Sequence, residues 1–180
     1  MTRQTILTTR RLRLREWRMS DVTAYHRHCN TDAVLHYLGG PTSKRHVRDE
    51  VAWFRWHQRS RGFTFWVVER KRDKALLGFC GIIRVPDQGS AVYGELEIGW
   101  RIRSDMWRRG YAFEAATGVI QLARATLAEE RLVARIAADN RASWRLARKL
   151  GMRHEKRLDY VDDSDGMRYH IYALDNRKGR

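Results

Sequence analysis

The stretch Gly94–Ala123 (GELEIGWRIRSDMWRRGYAFEAATGVIQLA) constrains the chain most, because it joins a buried strand to an amphipathic helix through a short arginine-rich loop. Leu96 to Ile102 is apolar, with aromatic and β-branched residues that favour a strand. Past Gly110, the residues Ala112, Ala115, Ala116, Val119, Ile120 and Ala123 recur at helical spacing, with Glu114, Thr117, Gln121 and Arg124 on the polar face. A strand running straight into a helix leaves backbone N–H groups unpaired at the helix start. With the helix dipole behind them, these donors form an anion pocket suited to a phosphate or pyrophosphate. Arg108 and Arg109 add positive charge, Gly110 allows close backbone approach, and Ala112 keeps the first turn slim. No Lys-Ser or Lys-Thr follows the glycine and no G-x-G-x-x-G occurs, which excludes the P-loop and the dinucleotide fingerprint. An ordinary strand–helix turn with a solvated basic loop is the competing reading.

The remaining segments predict one mixed α/β domain over residues 1–180. Arg10–Trp17 alternates as a half-buried strand at a sheet edge. Ser20 and Asp21 offer a cap to a helix carrying Val22, Ala24, Tyr25 and Cys29. After a break at Gly39-Gly40-Pro41, Thr42 or Ser43 caps a second helix running to about Arg59, with Val47, Val51, Phe54 and Trp53 inward. Trp53, Phe54 and Trp56 either line a groove or pack as core. Phe63–Glu69 and Leu76–Val85 are strands joined by a charged turn, and the key strand follows from about Val92. Leu132–Ala137 is a further strand, so the strand–helix–strand order implies a parallel, right-handed crossover. Asn140–Leu150 is a helix stopped by Gly151, and Arg153–Tyr160 with Met167–Leu174 closes as a hairpin around Asp162–Gly166. The expected sheet has six or seven strands, mostly antiparallel around a splayed parallel pair, with about four helices.

A net charge of +15 implies attraction to anionic ligands and leaves contact with ribosome or RNA open. The arginines cluster at Arg10–Arg15, Arg101–Arg109, Arg141–Lys149 and Arg177–Arg180, and no zinc finger, RRM signature or basic zipper accompanies them. Cys29 and Cys80 are far apart and lack metal-spaced partners. They read as free thiols in a reducing cytoplasm, so neither a disulfide nor a metal site is expected. No signal peptide, lipidation motif or membrane-length apolar run is present, which predicts a cytoplasmic chain without membrane association.

Four markers together resemble the GNAT N-acetyltransferase superfamily, and within it the RimJ/RimL-like branch of ribosomal-protein acetyltransferases. They are TTRRLRLR from Thr8, EIGW from Glu97, WRRGYAFEA from Trp107, and DNRASWRLARKLGM from Asp139. The resemblance spans about Thr8 to Leu174. It departs at Trp107, where the family has Gln or Arg although this branch uses tryptophan, and at Arg108, where the branch commonly has another glycine. It implies acetyl-coenzyme A as co-substrate. Its pyrophosphate would lie on the backbone of Arg108, Arg109, Gly110, Tyr111 and Ala112 beside Trp107. Its pantetheine arm would pair with the backbone of Trp100, Arg101 and Ile102.

The same resemblance sets Asn140 against the pantetheine and Ser143 near the sulfur. By themselves these residues equally read as a helix cap and a solvated first-turn serine. Arg141, Arg145, Arg148 and Lys149 share a helical face that is either simply solvated or drawn to the cofactor's 3′-phosphate. For the general base Glu97 is the candidate, with Glu95 on the same face and Glu155 in reserve; its alternative is a buried carboxylate paired with an arginine. Ser143 is the candidate donor to the leaving sulfur, with Tyr111 and Tyr169 also available. The implied reaction is acetyl transfer to a primary amine, on a protein N-terminus or a small molecule, by direct attack in a ternary complex. A non-catalytic basic module for ribosome or RNA is the alternative, and a homodimer would suit exposed tryptophans.

Overall fold

The computed structural model describes residues 4–128, 131–162 and 166–175. Among the described residues nine strands form one sheet: β1 (Thr5–Thr8), β2 (Leu12–Arg15), β3 (Phe65–Arg70), β4 (Leu76–Arg84), β5 (Leu96–Ile102), β6 (Arg131–Ala137), β7 (Arg153–His154), β8 (Tyr160–Val161) and β9 (Arg168–Asp175). Their order is β1-β2-β3-β4-β5-β6-β9-β7, with β8 also paired to β9. The helices are α1 (Asp21–Cys29), α2 (Asp32–Leu35), α3 (Lys44–Arg61), α4 (Tyr111–Thr126) and α5 (Arg141–Lys149). Every strand pair is antiparallel except β5–β6, the pair joined through α4.

Because successive strand residues face opposite ways, the sheet carries a core on each face. Leu96, Ile98 and Ile102 join Ala115, Ala116, Val119 and Ala147 in the cluster that seats α4 and α5. On the other face Tyr25, Val51 and Phe54 of α1 and α3 pack on Val67 and Phe79. A smaller cluster of Val85, Val92, Val133, Ile171 and Ala173 continues on that second face past Glu97. Helix ends follow local chemistry: the Ser43 hydroxyl accepts from His46 N–H, and Gly62 closes α3 in the left-handed region at φ 80°.

Several elements differ from expectation. The strand expected at the edge is β2, one place inside, because the four residues of β1 pair outside it. The key strand begins at Leu96, since Ser90 to Glu95 turn on themselves through Tyr93 N–H to Ser90 C=O and Glu95 N–H to Val92 C=O. Thr31 caps the one-turn α2, which was not foreseen. The long first arm of the closing hairpin is broken into β7 and β8 by a 3-10 turn at Lys156–Leu158. Part of the Asp162–Gly166 turn and the Arg177–Arg180 cluster lie outside the described residues. The Trp53–Trp56 groove does not form: Phe54 is core, Trp53 packs half-buried against it, and Trp56 is 51% exposed.

Among the described residues two arginines, Arg15 and Arg70, are buried. Buried Arg15 donates twice to Asp21, at 2.8 and 2.9 Å, and through Nε to Glu69 at 2.8 Å. Asp21 also accepts from Arg18 N–H at 2.8 Å and so organises the start of α1, where Ser20 makes no side-chain cap. Cys29 and Cys80 are free and buried, and burial pushes the Cys29 thiol up to about 12 and the Cys80 thiol higher still. Among the described residues no helix is long and apolar enough to cross a membrane. Arg15→Ala strands two buried carboxylates, and urea unfolding is expected to show a loss of about 3–5 kcal/mol.

Candidate active site

At the start of α4 the main chain leaves its donors open. Gly110 is the N-cap at φ 77° and ψ 6°, with no side-chain cap. Arg108 is also left-handed, at φ 59°. Among the described residues, the N–H groups of Arg108, Arg109, Gly110, Tyr111, Ala112 and Phe113 have no hydrogen-bond partner; the first bond is Glu114 N–H to Gly110 C=O at 3.0 Å. Six neighbouring donors at a positive helix end, beside two exposed arginines, are an arrangement whose charge and geometry suit an anion. A left-handed arginine carries about 1–2 kcal/mol of strain, which gives a physical reason why glycine suits position 108.

An unforeseen clamp holds this loop. Glu114 accepts from Thr9 Oγ1 at 2.6 Å, from Arg11 N–H at 2.7 Å and from Arg11 Nε at 2.6 Å. Arg11 also donates to Arg109 C=O at 3.0 Å and lies 4.5 Å from the centre of the Tyr111 ring. Burial pushes the Glu114 carboxyl up, but the bonds from Thr9 and Arg11 outweigh it and hold it below its ordinary value. The only sequence sign of this role was an acid in the first turn of a helix.

Beside the loop, β5 presents an unpaired edge. It meets β6 only at Leu96↔Leu132 and Glu97↔Val133. Along β4 the hydrogen-bonded partners alternate. Arg103 N–H to Leu77 C=O and Val85 N–H to Glu95 C=O fix the phase. The backbones of Glu97, Gly99 and Arg101 therefore point at β4, and those of Ile98, Trp100 and Ile102 point into the gap where β6 has diverged. Trp107 Nε1 already donates to Ile102 C=O, so the tryptophan ties the loop to the strand.

Arg101 corrects the expectation that its backbone receives the pantetheine. Its main chain faces β4, and its side chain turns to the opposite layer, where Nη1 donates to Tyr25 Oη at 2.6 Å and Glu50 Oε1 at 3.2 Å.

Of the remaining candidates, Trp100 and Ser143 come together, with Trp100 Nε1 donating to Ser143 Oγ at 3.4 Å. Asn140 caps α5, its Oδ1 accepting from Ser143 N–H at 3.1 Å. Lys149 lies 4.6 Å from the centre of the Phe113 ring, which brings the basic face of α5 against the first turn of α4. Glu97 occupies the last paired position before β5 and β6 part, on the face opposite Trp100. It is 8% exposed, accepts from Arg135 Nε at 3.1 Å, and has Arg135 Nη2 in ion-pair contact at 3.1 Å. Burial raises its carboxyl above the ordinary value while Arg135 opposes the shift. Arg135 further reaches Tyr160 Oη at 3.2 Å and Asp87 at 3.6 Å. The other candidates stand apart. Glu95 pairs with Arg131 at 3.4 Å, Glu155 is exposed at the 3-10 turn, Tyr111 is buried, and Tyr169 stacks on Tyr160.

Residues 11–153 match the Acetyltransferase (GNAT) domain family. The chain belongs to the GNAT acetyltransferases. The acetyltransferase is 32% identical over 159 residues to YkkB of Bacillus subtilis (strain 168), covering 88% of this chain and 91% of that one. Its fold is shared with a GNAT-family acetyltransferase from Bacillus anthracis, at TM-score 0.77 and 21% identity over 94% of this chain and 98% of that one. It is shared also with RimL, a ribosomal L7/L12 alpha-N-protein acetyltransferase in complex with coenzyme A, at TM-score 0.75 and 18% identity over 96% and 98%. Family membership makes the chain an enzyme, not the non-catalytic basic module that its charge also allowed.

A side chain at Gly110 would meet nothing nearer than Arg11 Nη2 at 3.4 Å, so there is space for one. The obstacle is the left-handed backbone, worth about 1–2 kcal/mol, together with the loss of close approach to the amides. Gly110→Val is therefore expected to unfold only slightly earlier while its affinity for coenzyme A, measured calorimetrically, falls at least about tenfold.

Proposed function

We propose that this acetyltransferase moves an acetyl group from acetyl-coenzyme A to a primary amine by direct attack in a ternary complex, in the manner of the RimJ/RimL-like branch. The observation that carries the reading is the run of free N–H groups from Arg108 to Phe113, set at the end of the unpaired β5 edge. The run fits a pyrophosphate, and the Trp100 and Ile102 amides fit the amide-bearing arm behind it. Basic residues of α5 stand beside the same turn and suit a further phosphate. Acetyl-coenzyme A would supply the acyl group already activated as a thioester.

The chain's own residues supply position and proton handling. The fork between β5 and β6 opens both faces of the sheet to one point, with Glu97 on one side and the Ser143–Trp100 pair on the other. Glu97 takes the proton from the attacking amine, directly or through water, as the new C–N bond forms and the C–S bond breaks. Ser143 gives a hydrogen bond to the departing sulfur, which leaves as a thiolate and gains a proton from solvent. A carboxyl raised by burial is a stronger base than an ordinary one, while the Arg135 contact fixes its orientation. The fold shared with an enzyme named for ribosomal L7/L12 alpha-N-protein acetylation supports a protein N-terminus as acceptor, with small amines the other class. Two buried free thiols agree with a cytoplasmic setting.

The reading is tested by following thiol release from acetyl-coenzyme A against N-terminal peptides and small amines. Glu97→Gln is expected to lower kcat roughly 100-fold or more with little change in cofactor affinity. Since the raised carboxyl must be ionised to act, kcat/KM should fall as the pH drops through a midpoint above about 4.3, the ordinary glutamate value. In Glu97→Gln that acid limb should vanish; an unchanged limb would remove Glu97 from the role of base. Ser143→Ala should reduce kcat by a smaller factor, read in the same assay.

A further inference from the structure

The closing edge of the sheet gathers three metal-ligating side chains that the acetyl-transfer reading does not use. His154 stands on β7, Asp159 ends the 3-10 turn that follows it, and His170 stands on β9. His154 Nε2 lies 3.0 and 2.9 Å from the two Asp159 carboxylate oxygens, and His170 Nε2 lies 3.9 Å from Oδ2. One ligand atom from each of the three falls within 4.8 Å of the others. Tetrahedral zinc with bonds near 2.1 Å needs ligand atoms about 3.4 Å apart; the two contacts to Asp159 Oδ2, at 2.9 and 3.9 Å, lie on either side of that spacing, and all three ligand atoms fall within 4.8 Å, so small side-chain shifts would close the site on a cation.

Two further features point to a built site. Asp159 Oδ1 accepts from Ile171 N–H at 3.0 Å, which orients the carboxylate from behind. The His154 ring stacks on Tyr172, with centroids 5.0 Å apart and an angle of 15°, and lies 4.7 Å from the His170 ring. Both imidazoles therefore sit side by side, each with Nε2 near the same carboxylate. The three side chains are 15%, 20% and 27% exposed, so a cation can enter and keep a water. Two imidazoles with one carboxylate suit a borderline transition metal and not calcium or magnesium, which take oxygen ligands.

We propose that His154, Asp159 and His170 bind one divalent transition-metal cation of the zinc class, with a fourth position open to water. The site lies outside the anion cradle and the β5–β6 fork, and it stands whether or not the acetyl-transfer roles assigned above hold. Its effect is mechanical. β7 and β8 each pair with β9 at only two positions, and a cation linking β7, the following turn and β9 fastens a segment that main-chain bonds hold weakly.

The test uses untagged, chelator-treated protein titrated with Co2+, whose visible bands report tetrahedral coordination, followed by displacement with Zn2+. One equivalent is expected to bind, and Zn2+ should raise the Tm. His170→Gln and the near-isosteric Asp159→Asn, each checked for folding by circular dichroism, should weaken binding at least about tenfold and abolish the Tm rise. Absence of saturable Co2+ binding, or binding that survives in both folded variants, would overturn the proposal and leave a hydrogen-bonded His–Asp pair.

Discussion

An unfinished set of main-chain hydrogen bonds organises this molecule. A folded chain ordinarily pairs almost every buried N–H and C=O group, yet here two neighbouring deficits are kept open. One is the first turn of α4, left without a cap by Gly110, and the other is the β5 edge beyond Glu97. Both arise from one topological choice, a parallel pair that begins together and then separates. A fully zipped β5–β6 ladder would bury the edge and leave the helix end facing a wall.

Keeping such a gap requires support from both sides. Above it, Glu114 ties the β1–β2 turn to the start of α4 through Thr9 and Arg11. Below it, Arg101 reaches away from the gap to Tyr25 and Glu50, fastening β5 to α1 and α3. Arg135 bridges Glu97, Tyr160 and Asp87 at the fork itself. Part of the chain's positive charge is thus engaged in holding the fold together. Guanidinium groups suit that duty because they hold several acceptors in a fixed plane.

What the sequence made legible was what repeats or interrupts. The strand Leu96–Ile102, the glycine at 110 and the alanine-lined face of the following helix announce themselves through period and composition, and with them came the crossover and the open start of the helix. Left unread were contacts between residues far apart in the chain. Nothing near Glu114 signals Thr9 or Arg11, 105 and 103 positions away. Strand alternation could have assigned the Arg101 side chain to the α1–α3 layer. Its backbone direction depended on the phase of the β4 pairing, which sequence does not display. The same limit hid β1, too short to show a period, and the His154–Asp159–His170 cluster, assembled from three segments without a metal-binding spacing.

The two cysteines have a bearing on the proposed reaction, which liberates a thiol. Both lie sealed in the cores, and desolvation disfavours the thiolate form that disulfide exchange requires. In the proposed reaction, coenzyme released at the fork would meet no thiol on this protein able to capture it. The folded chain is thereby shielded from becoming a mixed disulfide with its own product, and aromatic disulfide reagents added to a working solution would register turnover while the protein itself stays silent.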